Sequence, residues 1–170
     1  MTLDLVRLWT EGSIESEFSV LPEDDFWDGT ELHPVSPLKS TVRAVRTTTG
    51  DVLVTGRIEA AFAGQCRRCL TDLPATIEEN IRILFVEGEE LAGEDGDGSV
   101  RILDPGAREL DLVDAMREEV LLAFPPYLVC VEGCRGLCAQ CGTNLNETDC
   151  DCAQTEDDPR WAPLRALRHE

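Results

Sequence analysis

The sequence is poor in basic residues, in histidine and in long apolar runs. It has 15 Lys and Arg against 34 Asp and Glu, for a net charge of −19, and two His among 170 residues. Non-specific DNA binding depends on phosphate neutralisation by Lys and Arg, so this charge excludes a generic DNA-coating protein. No stretch approaches the ~18–20 apolar residues of a membrane span, and early acids interrupt any secretory signal. We therefore expect a cytoplasmic protein without a membrane role.

Recognisable catalytic motifs are also missing. The sequence contains no GxxxxGK[ST] phosphate loop, no GxGxxG and no GxSxG. His33 lies in a proline-rich stretch and His169 is next to the last residue, so we expect both to be solvated. No pair of nucleophile and base can be assembled. The sequence predicts a protein that is not an enzyme.

Cysteine, in contrast, is abundant. Eight cysteines fall short of the ~8–10% of disulfide scaffolds, but they are too many to arise by chance. In a reducing compartment, clustered thiols hold metals or do redox chemistry. One CxxC turn is followed, sixty residues later, by a dense cluster, so that the full set is Cys66, Cys69, Cys130, Cys134, Cys138, Cys141, Cys150 and Cys152.

Zinc is the metal that this pattern predicts. A structural zinc takes four ligands, with zinc–sulfur bonds of ~2.3 Å, and a CxxC turn supplies two sulfurs on one side. Gly142 after Cys141 allows a turn with positive φ, whereas Leu70 after Cys69 makes the first turn less typical. Arg67 and Arg68 offset part of the formal −2 charge of a tetrathiolate site.

Eight thiolates suffice for two structural zinc sites. We predict one site from Cys66, Cys69, Cys130 and Cys134, and a second from Cys138, Cys141, Cys150 and Cys152. The alternative is a single site that pairs the two CxxC turns, namely Cys66, Cys69, Cys138 and Cys141. Redox or iron–sulfur use, and two or three spare thiols, also stay open. The first predicted site would staple the sheet to the tail.

Two other uses of the cysteines are disfavoured. The spacing from Cys134 through Cys138 to Cys141 matches that of radical-SAM enzymes, but the chain is too short for their barrel. A thioredoxin-like role for Cys66 and Cys69 requires a CxxC at a helix N-terminus within a βαβ unit. The flanking segments here have antiparallel strand patterns instead.

The pattern of apolar residues predicts an α+β fold with an antiparallel sheet. Thr41–Thr47 alternates, Thr47–Asp51 is a turn, and strand patterns follow from Val52 and again over Ala75–Val86. These segments predict a meander from about Val42 to Val86. Val100–Leu103 is a further candidate strand, and the apolar opening of the chain fits either a strand or a short helix.

One helix should pack on this sheet. Asp111 is a candidate N-cap, and Pro125 and Pro126 end the pattern. Its apolar positions follow the 3.6-residue period: Leu112, Val113, Met116, Val120, Leu121 and Phe124. We expect a mobile loop over 87–98 and a short helix after Asp158. The predicted organisation is an α+β domain over 1–127, a cysteine-rich zinc lobe over 128–152 and a tail with a short helix over 153–170.

A string of motifs resembles a known family. In order, they are Cys66-Arg-Arg-Cys69-Leu70, Leu110-Asp-Leu-Val, Cys134-Arg-Gly-Leu-Cys138-x-x-Cys141-Gly-x-Asn144-Leu145-Asn146 and Asp158-Pro-Arg-Trp-Ala. Over roughly residues 39–167 the chain resembles the cysteine-rich bacterial branch of the YceD family, large-subunit ribosomal RNA accumulation proteins. The resemblance implies a non-enzymatic factor that supports ribosomal RNA levels by binding that RNA or a pre-ribosomal particle. Zinc would be structural.

The charge distribution suggests which surfaces such a factor would use. Lys39–Leu70 has six basic residues and two acids, whereas Glu78–Glu119 has fourteen acids and four arginines. The candidate RNA-binding residues are Arg43, Arg46, Arg57, Arg67 and Arg68. Each of these can instead pair with the protein's own acids. Two other functions stay open: an acidic adaptor for a basic ribosomal protein, and a zinc–thiolate redox sensor.

Overall fold

The computed structural model describes residues 1–87 and 100–152. It contains eight strands, two α-helices and one 3₁₀ turn within these ranges. In chain order they are β1 (Thr2–Asp4), α1 (Leu5–Glu11), β2 (Ser13–Val20), the 3₁₀ turn (Asp25–Trp27), β3 (His33–Pro34), β4 (Leu38–Arg46), β5 (Val52–Gln65), β6 (Asp72–Glu87), β7 (Val100–Leu103), β8 (Glu109–Asp111) and α2 (Val113–Ala123).

The main sheet has the order β2-β4-β5-β6-β7, and β3 pairs with the far part of β5. All of these pairings are antiparallel except that of β7, which runs parallel to β6. A separate two-stranded ribbon joins β1 to β8. The predicted α+β class and the β4-β5-β6 meander are confirmed, and β7 departs from the meander because it runs parallel to β6.

Strands β5 and β6 form the long hairpin on which the rest is built. Their inward residues alternate along the strand, with Val54, Ile58 and Phe62 fully buried on β5. At Gly56, a Cβ atom would lie 2.4 Å from the Thr41 carbonyl oxygen. Glycine is therefore required for β4 to approach β5 at this point.

The opening of the chain is a strand followed by a helix. The Asp4 carboxylate caps α1 by accepting a hydrogen bond from the Arg7 amide at 2.9 Å, and Gly12 ends the helix with φ of +78°. Leu5 and Leu8 bury the inner face of α1 against the core. Periodicity could not separate strand from helix because both occur within ten residues.

Helix α2 lies on the sheet as predicted. Its N-cap residue is Leu112 rather than the expected Asp111, but the Asp111 carboxylate still accepts a hydrogen bond from the Val113 amide at 3.0 Å. Met116 and Val120 are buried, and the Phe124 ring just after α2 meets the Phe62 ring edge-on at 5.4 Å. Leu121, which was expected to face the sheet with the other apolar residues, is instead 44% exposed.

Some expectations fall on residues that the structure does not describe. The predicted loop over 87–98, beyond Glu87 itself, and the predicted helix after Asp158 lie outside the described residues. The division into domains at 127 and 152 stays a prediction. Within the described ranges, no helix is both long and apolar enough to span a membrane.

Candidate metal centre

The first CxxC turn connects β5 to β6. The Cys66 amide donates a hydrogen bond to the Thr71 carbonyl at 2.9 Å, and the Leu70 amide donates one to the Cys66 carbonyl at 2.9 Å. These bonds close a tight knuckle at the end of the long hairpin. Leu70 takes the left-handed conformation, with φ of +57°. Cys66 and Cys69 are both buried.

The second CxxC turn repeats this backbone. The Cys138 amide donates to the Thr143 carbonyl at 2.8 Å, and the Gly142 amide donates to the Cys138 carbonyl at 2.9 Å. Gly142 has φ of +74°, close to the value for Leu70 in the first knuckle. The two turns are thus equivalent, although only one carries the glycine that the left-handed conformation favours.

The eight thiols fall into two groups of four. The groups are Cys66, Cys69, Cys130 and Cys134, called tetrad 1 below, and Cys138, Cys141, Cys150 and Cys152, called tetrad 2. Within each tetrad all sulfur atoms lie within 4.8 Å of one another. The structure thus brings together the two sets that the spacing predicts, and it separates the two CxxC turns that the single-site alternative would pair.

The sulfur positions suit a tetrahedral metal ion. Bonds of ~2.3 Å from a tetrahedral centre require sulfur atoms about 3.8 Å apart. The Cys66 and Cys134 sulfurs are 3.8 Å apart, and those of Cys69 and Cys130 are 3.5 Å apart. All eight cysteines are free. The donor set of each tetrad is four thiols, which is the chemistry of a soft, four-coordinate metal site.

Backbone amides point at the first sulfur of each knuckle. The Arg68 amide donates to Cys66 Sγ at 3.4 Å, and the Gln140 amide donates to Cys138 Sγ at 3.4 Å. Such donors stabilise negative charge on sulfur. In each tetrad, one backbone amide therefore helps to stabilise a thiolate at the first cysteine of the knuckle.

A threonine hydroxyl lies beside the second sulfur of each knuckle. Thr71 Oγ1 is 3.2 Å from Cys69 Sγ, and Thr143 Oγ1 is 3.1 Å from Cys141 Sγ. When the sulfur is a thiolate, the hydroxyl is the donor. The predicted site residues did not include these threonines, although the pattern CxxCxT occurs at both turns.

Within each tetrad, one thiol has a lowered pKa and another has a raised pKa. The side-chain and backbone hydrogen bonds of Thr143 lower the pKa of Cys141 to about 6. The adjacent sulfur of Cys69 raises the pKa of Cys130 to about 12, and that of Cys141 does the same for Cys152. A metal ion that binds all four sulfurs must therefore displace protons.

The tail reaches tetrad 1 through backbone hydrogen bonds. The Arg67 amide donates to the Leu128 carbonyl at 2.8 Å, and the Leu137 amide donates to the Arg68 carbonyl at 3.0 Å. Gly136 allows this approach, since a Cβ there would lie 2.9 Å from the Arg68 oxygen. Residues 128–137 thereby bring Cys130 and Cys134 to the hairpin.

The two tetrads differ in exposure. In tetrad 1, Cys66, Cys69 and Cys134 are buried and form a small cluster with Leu73 and Leu137. In tetrad 2, Cys141 is exposed and its three partners are half-buried.

Asn146, in the loop between Cys141 and Cys150, contacts tetrad 1. Its side-chain amide donates to Cys134 Sγ at 3.3 Å, and its side-chain oxygen accepts from the Arg135 amide at 2.7 Å. The loop that follows the second knuckle thus supports tetrad 1.

The candidate RNA-binding arginines lie in three places. Arg43 and Arg57 are on the solvent face of the sheet, where Arg57 pairs with Glu59 at 2.9 Å and also with Glu78. The Arg46 guanidinium stacks over the Trp9 ring at 4.9 Å.

Arg67 and Arg68 lie at the opposite end of β5. They form the exposed tip of the first knuckle and make no ion pair with any described residue. Strand β5 has 14 residues. At ~3.3 Å per residue, it places the knuckle roughly 45 Å from Arg46. The five arginines therefore do not form one patch.

An exposed aromatic side chain adjoins this knuckle. Tyr127, the one tyrosine of the chain, is 78% exposed. The Arg67 guanidinium carbon lies 6.0 Å from the centroid of its ring. Tyr127 was not among the predicted site residues, and its only signal in the sequence is an aromatic directly after two prolines.

Comparison with known proteins identifies relatives in bacteria and plants. An uncharacterized protein of Mycobacterium tuberculosis is 29% identical over 168 residues, which cover 96% of this chain and 79% of that protein. A protein named large ribosomal RNA subunit accumulation protein YCED homolog 1, chloroplastic, of Arabidopsis thaliana is 36% identical over 66 residues, which span 39% of this chain and 21% of that protein. No solved structure matches the chain.

A family model described as large ribosomal RNA subunit accumulation protein YceD matches residues 54–168. The match begins within β5 and includes both CxxC knuckles and all eight cysteines. It covers well over half of the sequence, and it confirms the resemblance that the ordered motifs indicate. The chain therefore belongs to the YceD family.

Proposed function

We propose that this chain is a non-enzymatic factor that supports the accumulation of large-subunit ribosomal RNA. In this proposal it acts in the cytoplasm, carries two structural zinc ions and binds ribosomal RNA or a pre-ribosomal particle. The observation that carries the proposal is the family match over residues 54–168, which spans nearly all of the hairpin, helix α2 and both tetrads.

The donor chemistry favours zinc as the metal. Four thiolates at tetrahedral spacing suit zinc, which has no redox chemistry of its own. Each tetrad already supplies four protein ligands, and so leaves no open position for a substrate or a reactive water. This closed arrangement supports a structural role for the metal rather than a catalytic one.

Several features support direct contact with RNA at a few phosphates. Arg43, Arg67 and Arg68 are exposed and make no ion pair with the described residues. Arg57 is neutralised by neighbouring acids and is the weakest candidate, whereas the Arg46 guanidinium lies over the Trp9 ring much as that of Arg67 lies over Tyr127. Because the net charge is −19, binding relies on a local surface rather than on overall attraction.

Crosslinking in cells tests this proposal. Ultraviolet crosslinking of the full chain, followed by sequencing of bound RNA, is expected to enrich large-subunit ribosomal RNA. Charge reversal at Arg43 should reduce the signal, whereas reversal at Arg108, also exposed and without an ion pair among the described residues, should not. Metal analysis of the purified chain should give two zinc ions per molecule.

The acidic character of the chain favours a second candidate function. Residues 78–119 carry fourteen acids in the sequence, a composition suited to binding a basic ribosomal protein. In that case, crosslinking would recover a basic protein and no ribosomal RNA. This outcome would replace RNA binding with an adaptor function.

A further inference from the structure

The tip of the first knuckle carries two cations that have no acidic partner among the described residues. Arg67 and Arg68 are both exposed, and neither forms an ion pair with a described residue. This is unexpected in a chain with 19 excess negative charges. Asp72 lies opposite Gln65 at the turn end of the hairpin. Its carboxylate accepts a hydrogen bond from the Gln65 side chain at 2.9 Å and forms no ion pair with either arginine. No acid of the described residues therefore competes with an external anion for the two guanidinium groups.

An aromatic face lies next to these cations. Tyr127 exposes most of its ring, and Arg67 lies 6.0 Å from the ring centroid. Proteins that bind single-stranded nucleic acid combine such parts, because bases stack on aromatic rings and guanidinium planes while cations contact phosphates. We call Arg67, Arg68 and Tyr127 the knuckle face.

The backbone fixes the knuckle face in place. The hydrogen bond from the Arg67 amide to Leu128 joins the knuckle to the segment that carries Tyr127, and Arg68 accepts one from Leu137. Cys66 and Cys69, on either side of the two arginines, belong to tetrad 1. A surface held from both sides loses little backbone entropy on binding.

We propose that the knuckle face binds an unpaired stretch of RNA, with a base stacked on Tyr127 and neighbouring phosphates at Arg67 and Arg68. This inference rests on the proposed function, and it adds the site and the class of RNA. The RNA is single-stranded because the bases of a duplex are already stacked and cannot reach an aromatic ring.

The second knuckle provides a matched replacement. Ala139 and Gln140 occupy the positions that correspond to Arg67 and Arg68, on a backbone with the same hydrogen bonds. The double variant R67A/R68Q therefore removes both cations and installs residues that this turn already accepts. Its zinc content and circular dichroism should match those of the original chain.

Fluorescence anisotropy with the zinc-loaded full chain tests the inference. The probes are an unstructured RNA 12-mer and a hairpin duplex of equal length, each measured over a range of salt concentrations. We expect the 12-mer to bind more tightly. For R67A/R68Q, the slope of log affinity against log salt should fall by about 1.4, since each single-strand phosphate contact contributes about 0.7.

Variants at Tyr127 separate stacking from charge. Y127A should weaken binding of the 12-mer by roughly 5- to 150-fold, the range for one stacked base, with the salt slope unchanged. Y127F keeps the ring and should stay within about twofold of the original chain. R108A removes an exposed arginine outside the knuckle face, and it should leave both affinity and salt slope unchanged.

The outcomes distinguish failure of the site from failure of the proposed function. If the original chain binds neither probe and crosslinks to no RNA in cells, the proposed RNA contact is wrong. If the chain binds the 12-mer but R67A/R68Q and Y127A bind it equally well, the knuckle face is not the site, while the proposed function stands. Tighter binding of the duplex than of the 12-mer would overturn the single-strand assignment.

Discussion

The two tetrads use the same knuckle for different structural purposes. Tetrad 1 joins a turn of the sheet at Cys66 and Cys69 to a tail segment sixty residues later, and it is largely buried. Tetrad 2 takes all its ligands from residues 138–152 and is open to solvent. The same motif thus cross-links two distant segments in tetrad 1 and orders a single short segment in tetrad 2.

The largest expected difference between the tetrads is in stability. Cys66→Ser should lower the free energy of unfolding of the zinc-loaded protein by about 4 kcal/mol, because tetrad 1 closes a loop of about sixty residues. Cys152→Ser should barely change unfolding of the sheet, since tetrad 2 closes only loops within the tail. Urea unfolding followed by tryptophan fluorescence, with zinc content measured in parallel, compares them.

Each variant should lose one zinc ion of two. Equal destabilisation by the two substitutions would show that tetrad 1 does not act as the staple. Loss of both ions from Cys152→Ser would show that tetrad 1 depends on tetrad 2. The hydrogen bond from Asn146 to Cys134 would then be the connection that transmits the loss.

Proton release should be alike in the two tetrads, despite their different burial. In tetrad 1, the pKa of Cys66 is lowered to about 6 and that of Cys130 is raised to about 12. In tetrad 2, the pKa of Cys141 is lowered to about 6 and that of Cys152 is raised to about 12. At pH 7, zinc must displace at least the proton on Cys130 in tetrad 1 and on Cys152 in tetrad 2. Zinc affinity therefore falls as pH falls, by about tenfold per pH unit for each proton displaced. Below about pH 6 the decline should steepen, because Cys66 and Cys141 then also hold protons.

Calorimetric zinc titrations in buffers of different ionisation enthalpy count these protons. Cys66→Ser and Cys152→Ser each leave one complete tetrad to measure. A site that binds zinc with no proton release at pH 7 would contradict the protonated state assigned to Cys130 or Cys152.

The architecture was largely readable from the sequence, because alternation along β4, β5 and β6 is a local signal. The division of the eight cysteines into two tetrads could also be predicted, since the first four and the last four cysteines in chain order form one tetrad each. What the sequence could not show depends on three-dimensional placement. The parallel pairing of β7 and the separation of Arg46 from the knuckle follow from sheet register, and the exposure of Leu121 follows from where α2 contacts the sheet.

The hydroxyl groups of Thr71 and Thr143 should increase zinc affinity, and the effect should be larger in the buried tetrad 1 than in tetrad 2. Thr71→Val removes the hydroxyl beside Cys69 and should weaken zinc binding at tetrad 1 by about tenfold, in the range for hydrogen-bonding partners of metal ligands. Thr143→Val should have a smaller effect, because water can replace its hydroxyl at the exposed Cys141. Competition with a chromogenic chelator measures both, and the Thr→Ser variants keep the hydroxyl as controls. Equal losses would mean that burial does not strengthen these hydrogen bonds.

The smallest expected effect concerns the residue after each CxxC. Leu70 and Gly142 have the same left-handed backbone, which costs a non-glycine residue about 1 kcal/mol. Leu70→Gly removes this cost, but glycine also gains freedom in the unfolded chain, so we expect a net change in stability within about 0.5 kcal/mol.

Gly142→Leu introduces the cost of the left-handed conformation, and should destabilise the second knuckle by about 1 kcal/mol. Zinc affinity of each tetrad, measured against the same chelator, reports these changes locally. A large loss from Leu70→Gly would show that the leucine side chain, although more than half exposed, contributes packing that the equivalent glycine lacks.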